Sequence, residues 1–272
     1  DPLSTTPPGP NDARYPFPRA AAFTVDRPLT DQRVASRYNN FYEFGTDKDA
    51  VWERVGAFSV APWRLEIAGA CRRPGPIDFD DLLGTFAAHL QERVHRFRCV
   101  EAWAMVVPWS GFPLAELVRW ADPTADARFV RLVSACRAEQ MPGVGDQPWL
   151  PWPYFEGLTL AEATHPLAFV ATGIFGRPLP KQHGAPLRLV VPWKYGFKNI
   201  KSLVRLEFVT ERPRTFWNSL APSEYDFAGN VDPRVPHPRW SQATERVIGT
   251  GERLPTLLYN GYAEQVASLY AG

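Results

Sequence analysis

Cysteine, histidine and long apolar runs are all scarce in this sequence, and each scarcity excludes something. The three cysteines, Cys71, Cys99 and Cys136, form no C-x-x-C and cannot all pair within one chain, so neither a disulfide framework nor a zinc knuckle is expected. A Cys71–Cys136 bridge stays open, although inert buried thiols are the simpler reading of both. None of the five histidines (His89, His95, His165, His183 and His237) stands at H-E-x-x-H or zinc-finger spacing. No apolar run approaches the roughly 18 residues of a membrane span, and the longest, such as 187–192, are strand-sized, so a soluble chain is expected. Charge imbalance is missing too. A formal net charge of +1 gives no field-scale attraction to nucleic acid or to an anionic membrane.

What is present is an ordinary globular composition, 45% hydrophobic and 22% charged over 272 residues, with two excesses. The 28 prolines are roughly twice the usual share, and there are ten tryptophans. Each proline fixes φ and removes a backbone donor, so short elements and long, stiff loops follow. Pro2, Pro7, Pro8 and Pro10 lie in a polar leader behind Asp1, which reads as a trimmed N-terminus.

Periodicity and turn signals predict one mixed α/β, loop-rich domain over 38–272 behind an irregular arm at 1–37. Strands are expected at 63–69, 93–100, 129–133, 168–172, 187–191 and 202–210. Helices are expected after Asp78, at 114–121 and at 159–163. Residues 108–113 read as a turn-rich bridge, 141–157 as a long loop of the kind that serves binding sites, and the chain from 212 onward as mostly loop. No repeat or linker divides the domain.

Two places invite chemistry. Cys99 lies at a strand exit beside Arg96 and Arg98, where positive charge would favour thiolate; by spacing alone a packed structural cysteine is the simpler reading. The turn Trp193-Lys194-Tyr195-Gly196-Phe197-Lys198-Asn199-Ile200-Lys201, with Arg188 before it, concentrates three lysines and a glycine between two strands. Such a turn can cradle a phosphate, or it can be a solvated turn.

Arg98-Cys99-Val100-Glu101-Ala102-Trp103 and Pro108-Trp109-Ser110-Gly111-Phe112-Pro113-Leu114 together resemble the cysteine segment of the sulfite-oxidase-fold molybdoenzymes. The likeness extends through Tyr38–Gly45, Glu139–Gly143, Gly184–Arg188, Val191–Lys201 and His237–Arg246, and is nearest to the family's protein-methionine-sulfoxide reductase branch. It implies a sulfite-oxidase molybdopterin-binding fold and a molybdenum held by one molybdopterin, without a nucleotide extension. Cys99 would be the metal's protein ligand. Asn39, Tyr42 and Glu43 would contact the pterin, as would Ser134, where the family commonly has threonine, and His183, where it commonly has asparagine. Arg188, Asn199, Ile200 and Lys201 would hold the pterin and its phosphate. The imidazole of His183 would add a pH-dependent charge.

The resemblance also implies reduction of methionine sulfoxide in oxidised proteins by oxygen-atom transfer. It implies a periplasmic location reached through the twin-arginine route, a haem-containing membrane subunit (MsrQ) as electron donor, and otherwise a monomer. A sulfite dehydrogenase, or a binding protein that kept the fold without catalysis, stays open as an alternative.

Overall fold

The computed structural model describes residues 1–3 and 14–271, so the leader prolines Pro7, Pro8 and Pro10 lie outside the described residues. Among those residues no helix is long and apolar enough to cross a membrane. In the described residues twelve strands form two mixed sheets: β1 Arg64–Gly69, β2 Gly75–Asp78, β3 Gln91–Arg98, β4 Trp103–Pro113, β5 Phe129–Ser134, β6 Phe155–Thr159, β7 Phe169–Ile174, β8 Arg177–Pro178, β9 Arg188–Val190, β10 Leu203–Val209, β11 Thr244–Val247 and β12 Arg253–Pro255. The first sheet runs β2-β1-β10-β5-β6; the second runs β12-β11-β4-β7-β8, with β3 on β4 and β9 on β7. The helices are short: α1 Gln32–Arg37, α2 Val51–Arg54, α3 Phe79–Thr85, α4 Leu114–Ala121, α5 Pro142–Asp146, α6 Leu160–Thr164, α7 Phe216–Leu220 and α8 Ala263–Val266.

Local chemistry explains most of these. In β1, Leu65 and Ile67 are buried while Arg64 is exposed, as a half-buried strand requires. Helix α4 buries Leu114, Leu117, Val118 and Ala121, one face at helical spacing, and stops where Asp122 turns left-handed (φ 55°). Thr159 and Glu162 close a capping box on α6. Asp78 precedes α3 but makes no cap; its carboxylate accepts from Arg64 Nε at 2.8 Å instead.

The segment expected as a turn-rich bridge is in fact the tail of β4, eleven residues with all but the last buried. Pro108 is tolerated because its carbonyl accepts from the Phe175 N–H, so its donorless nitrogen faces the side where the β4–β7 ladder begins only at Trp109. Likewise the 141–157 loop contains α5 and the start of β6, and the tail after 212 supplies β11, which joins β4 in parallel. The arm packs on the second sheet through Thr30, whose N–H donates to the Val106 carbonyl and whose hydroxyl accepts from the Val106 N–H.

Two apolar clusters result. One fills the space between the sheets, with Ile67, Leu132, Leu206, Phe112, Val170 and Leu189. The other gathers the alternate β4 residues Trp103, Met105, Val107 and Trp109 with Phe169, Ala171 and Cys99. That second face carries the cavity described next.

Candidate cofactor cavity

A cleft of about 970 Å³, its open mouth included, runs along this face of β4. Cys99 stands on its wall in the four-residue turn joining β3 to β4. The turn closes through Cys99 N–H to the Trp103 carbonyl at 2.9 Å and Ala102 N–H to the Cys99 carbonyl at 3.1 Å, with Ala102 left-handed (φ 62°). From outside, Trp240 Nε1 and Gln242 Nε2 both donate to the Val100 carbonyl, at 2.8 and 2.7 Å. Asn40 Nδ2 and the Glu101 N–H each approach Cys99 Sγ at 3.5 Å. Glu101 Oε2 accepts from Trp103 Nε1 at 3.0 Å and from Asn40 at 3.1 Å, and pairs with Lys48 at 3.2 Å.

The charge assistance expected at Cys99 comes from Arg98, which favours the thiolate but is outweighed by burial and by Glu101. Arg98 is fully buried on Glu245 at 3.0 Å, with further bonds to Gln242 and Thr256, and Arg96 pairs with Asp26. Burial, reinforced by the Glu101 carboxylate, pushes the Cys99 thiol up to about 12. The alternating basic residues of β3 therefore do not mark a solvent face; Arg93 too is buried, over Phe23 and Phe169. The other two cysteines are free thiols with no bridge between them, Cys71 half-buried and Cys136 exposed, so neither is the buried thiol expected.

Nine of the ten sequence-predicted site residues line the cleft: Cys99, Asn39, Tyr42, Glu43, His183, Arg188, Asn199, Ile200 and Lys201. Ser134 sits behind the wall, donating to the Lys201 carbonyl at 2.8 Å and to Glu43 at 3.2 Å. The 39–43 loop is seated by Gly143, where a Cβ would come within 2.1 Å of the Tyr42 carbonyl, and by Gln147 Nε2, which donates to that carbonyl at 2.9 Å. Gly184, at φ +93°, similarly leaves room for Lys201. Asn199 spends its side chain on backbone, accepting from the Val191 N–H at 2.7 Å.

The basic turn divides in two. Lys194 and Lys198 are buried in ion pairs with Glu162 and Glu156 and also hold the Ala228 and Phe227 carbonyls, so they are structural and not phosphate ligands. Lys201 alone of the three faces the cleft. Arg188 is buried with three neutral carbonyl partners, those of His183, Leu189 and Asn199, and among the described residues it has no carboxylate partner. Burial and the Arg188 charge pull Lys201 down, while burial pushes its neighbour Glu43 up. His183 is held neutral, pulled down to about 3 by burial and by Arg188 and Lys201, so the pH-dependent charge expected of it is absent at neutral pH. Its Nδ1 meets Asn39 Nδ2 at 3.4 Å and its Nε2 meets Ser36 Oγ at 3.3 Å.

These atoms fit a ligand that is anionic at one end and rich in both donors and acceptors. Among the described residues, Asn39 Oδ1, Asn40 Oδ1 and Trp109 Nε1 are buried at the cleft without a hydrogen-bond partner, a costly state in a protein interior. Arg188 and Lys201 leave positive charge there, and a soft sulfur lines the same cleft. A molybdenum-pterin, with a heteroaromatic ring system, a phosphate and a thiolate-seeking metal, matches that set. Sequence reasoning passed over Glu101, Lys48, Trp109, Trp217, Tyr225 and Trp240; only the tryptophan excess hinted at the aromatic lining.

Residues 53–217 match the family model described as the oxidoreductase molybdopterin binding domain. Among solved structures, the chain is similar to the sulfane dehydrogenase SoxCD from Paracoccus pantotrophus at 17% identity and a TM-score of 0.49. That match covers 78% of this chain and spans 60% of the other protein's chain.

Proposed function

The chain belongs to the oxidoreductase molybdopterin-binding domain family, and from that premise we propose that it is the catalytic subunit of a protein-methionine-sulfoxide reductase. The coarser statement, a molybdopterin oxidoreductase with the mixed α/β fold of sulfite-oxidase-type enzymes, stands on the family match. One observation carries the finer one. The cleft's mouth is aromatic and charge-balanced: Tyr42, Phe197, Trp217 and Tyr225 line it, Lys48 is paired with Glu101, and nearby Arg239 is paired with Glu224. A neutral, polar sulfoxide suits that mouth, whereas sulfite, an anion, would call for an unpaired cation.

Cys99 would hold the metal, Arg188 and Lys201 the phosphate, and Asn39 and Asn40 would offer their free carbonyl oxygens to donors of the pterin. Molybdenum supplies two-electron oxygen-atom transfer when bound. The chain's own part is positioning: the edge-to-face rings of Tyr42 and Trp217, in contact at 5.0 Å between centroids, form one apolar wall for a methyl thioether, and aromatic edges favour sulfur. Oxidised periplasmic proteins as substrates, a haem-containing membrane subunit as donor, a pterin without nucleotide and a monomeric chain complete the proposal. Holoenzyme assayed with a reduced viologen dye and an oxidised methionine-rich protein, and separately with sulfite and an oxidised acceptor dye, tests it. Sulfoxide reduction without sulfite oxidation is expected; sulfite oxidation with no sulfoxide turnover would replace this reading with the sulfite dehydrogenase.

A further inference from the structure

The Val100 carbonyl belongs to the turn that carries Cys99, and two side chains 140 and 142 residues further on converge on it. Trp240 Nε1 donates at 2.8 Å and Gln242 Nε2 at 2.7 Å. Both roles are fixed by chemistry. An indole nitrogen can only donate, and the Gln242 amide oxygen already accepts from the donor-only Arg98 guanidinium at 2.9 Å, which turns its NH2 toward Val100. Gln242 is buried, and the Trp240 ring is stacked on His237, centroids 3.7 Å apart at 8°. A single bond would satisfy a turn carbonyl. The second has its use at the other end of the same peptide unit, where the Glu101 N–H approaches Cys99 Sγ at 3.5 Å.

We infer that Trp240 and Gln242 are positioning residues that act on the Cys99 sulfur through the Val100–Glu101 peptide and raise the reduction potential of the metal it holds. The inference rests on the reading of Cys99 as the metal's ligand. Resonance couples the two ends of a peptide unit. Donors on its oxygen draw electron density from its nitrogen, so the Glu101 N–H becomes a stronger donor to sulfur. A thiolate that accepts a stronger hydrogen bond gives less of its charge to a metal, which favours the reduced, electron-richer state. The competing account is that the two side chains merely fasten the turn. It predicts a lower melting temperature without them and a potential that does not move.

Trp240→Phe keeps a ring on His237 and removes the N–H. Gln242→Met removes the other donor while Arg98 keeps Glu245 and Thr256, and it stands in should the first variant fail to fold. Each variant has two readouts, and neither is turnover. In cofactor-free, isotope-labelled full-length chain, the Glu101 amide nitrogen reports hydrogen bonding at the carbonyl of its own peptide unit. Its resonance should move upfield in both variants. In the molybdenum-loaded holoenzyme, dye-mediated titration followed by electron paramagnetic resonance should show the metal's reduction equilibrium displaced toward the oxidised side, by roughly three- to tenfold per variant. Potentials equal to that of wild type overturn the inference, whatever happens to the melting temperature. So does a potential that moves while the Glu101 resonance stays still, because the effect then runs by another route. A metal signal unchanged in Cys99→Ala overturns the ligand reading instead, and the inference with it.

Discussion

Cys99 and the cations that would anchor a phosphate stand on different segments of the cleft wall, and their losses should separate. Removing the sulfur leaves Arg188, Lys201 and Asn39 in place, so Cys99→Ala is expected to keep its pterin within about twofold while turnover disappears. Fluorometric pterin content beside activity checks this, and full activity in the variant would end the proposed role of the thiol. The histidines make a second residue-scale case. His95 and His183 are both buried and neutral, each pulled down to about 3. A histidine unfolded near 6.5 takes up a proton there that its folded form refuses, so the unfolded state binds more protons as pH falls. Their contribution is complete above about pH 6.5 and is lost on acidification. Between pH 7 and 5 each should cost about 2 kcal/mol of stability. Denaturant unfolding of cofactor-free chain should therefore show a shallower acid loss for His183→Asn than for wild type; parallel curves would contradict the neutral assignment.

At the scale of elements, the turn 193–201 shows how an electrostatic motif can mean something else in three dimensions. Its lysines looked like a phosphate grip because their partners stand far upstream, Glu162 by 32 residues and Glu156 by 42, and nothing in local spacing reveals the pairing. By holding the Ala228 and Phe227 carbonyls, these lysines clip the segment that carries Tyr225 to the mouth. Lys198→Met strands Glu156 in a dry interior and is expected to cost about 3–5 kcal/mol, most of it recovered in Lys198→Met/Glu156→Leu. Unfolding midpoints measure this, and a double variant no better than the single one would refute the pairing argument. Strand β4 was hidden for a different reason: Pro108 and Pro113 are turn signals in any linear reading, and only the ladder's end at Trp109 makes the first harmless. By contrast α4, β1, β5 and β10 were legible, because their apolar periodicity survives folding unchanged. The site was legible at Cys99, through the segment that resembles a known family, and at Arg188, through the basic turn that follows it. It was illegible where a tryptophan or glutamate acquires meaning only from its neighbours in space.

Across the whole molecule, the cleft is walled by segments remote in sequence: 39–43, 97–109, 183–201 and 217–225. Long-range bonds join the walls, as where Asn40 Nδ2 donates to Glu101 and Asn39 Nδ2 meets the His183 ring, and hold them on the C-terminal residues, where Trp193 Nε1 and Lys194 Nζ donate to the Tyr270 hydroxyl and the Arg96 N–H donates to the Tyr262 hydroxyl. A ligand that contacts several walls at once must stabilise them together, because it binds only the state in which all are assembled. Loading the cofactor is therefore expected to slow amide hydrogen exchange in all four segments at once, along with the Val100-bonded stretch at Trp240 and Gln242. The far edge of the first sheet, β2 and α3, lines no part of the cleft and should change only as much as global stability does. Exchange followed by mass spectrometry on loaded and cofactor-free chain resolves these peptides. Protection confined to 193–201 would mean that an anion on the turn, and not a pterin spanning the cleft to Cys99, is what this architecture holds.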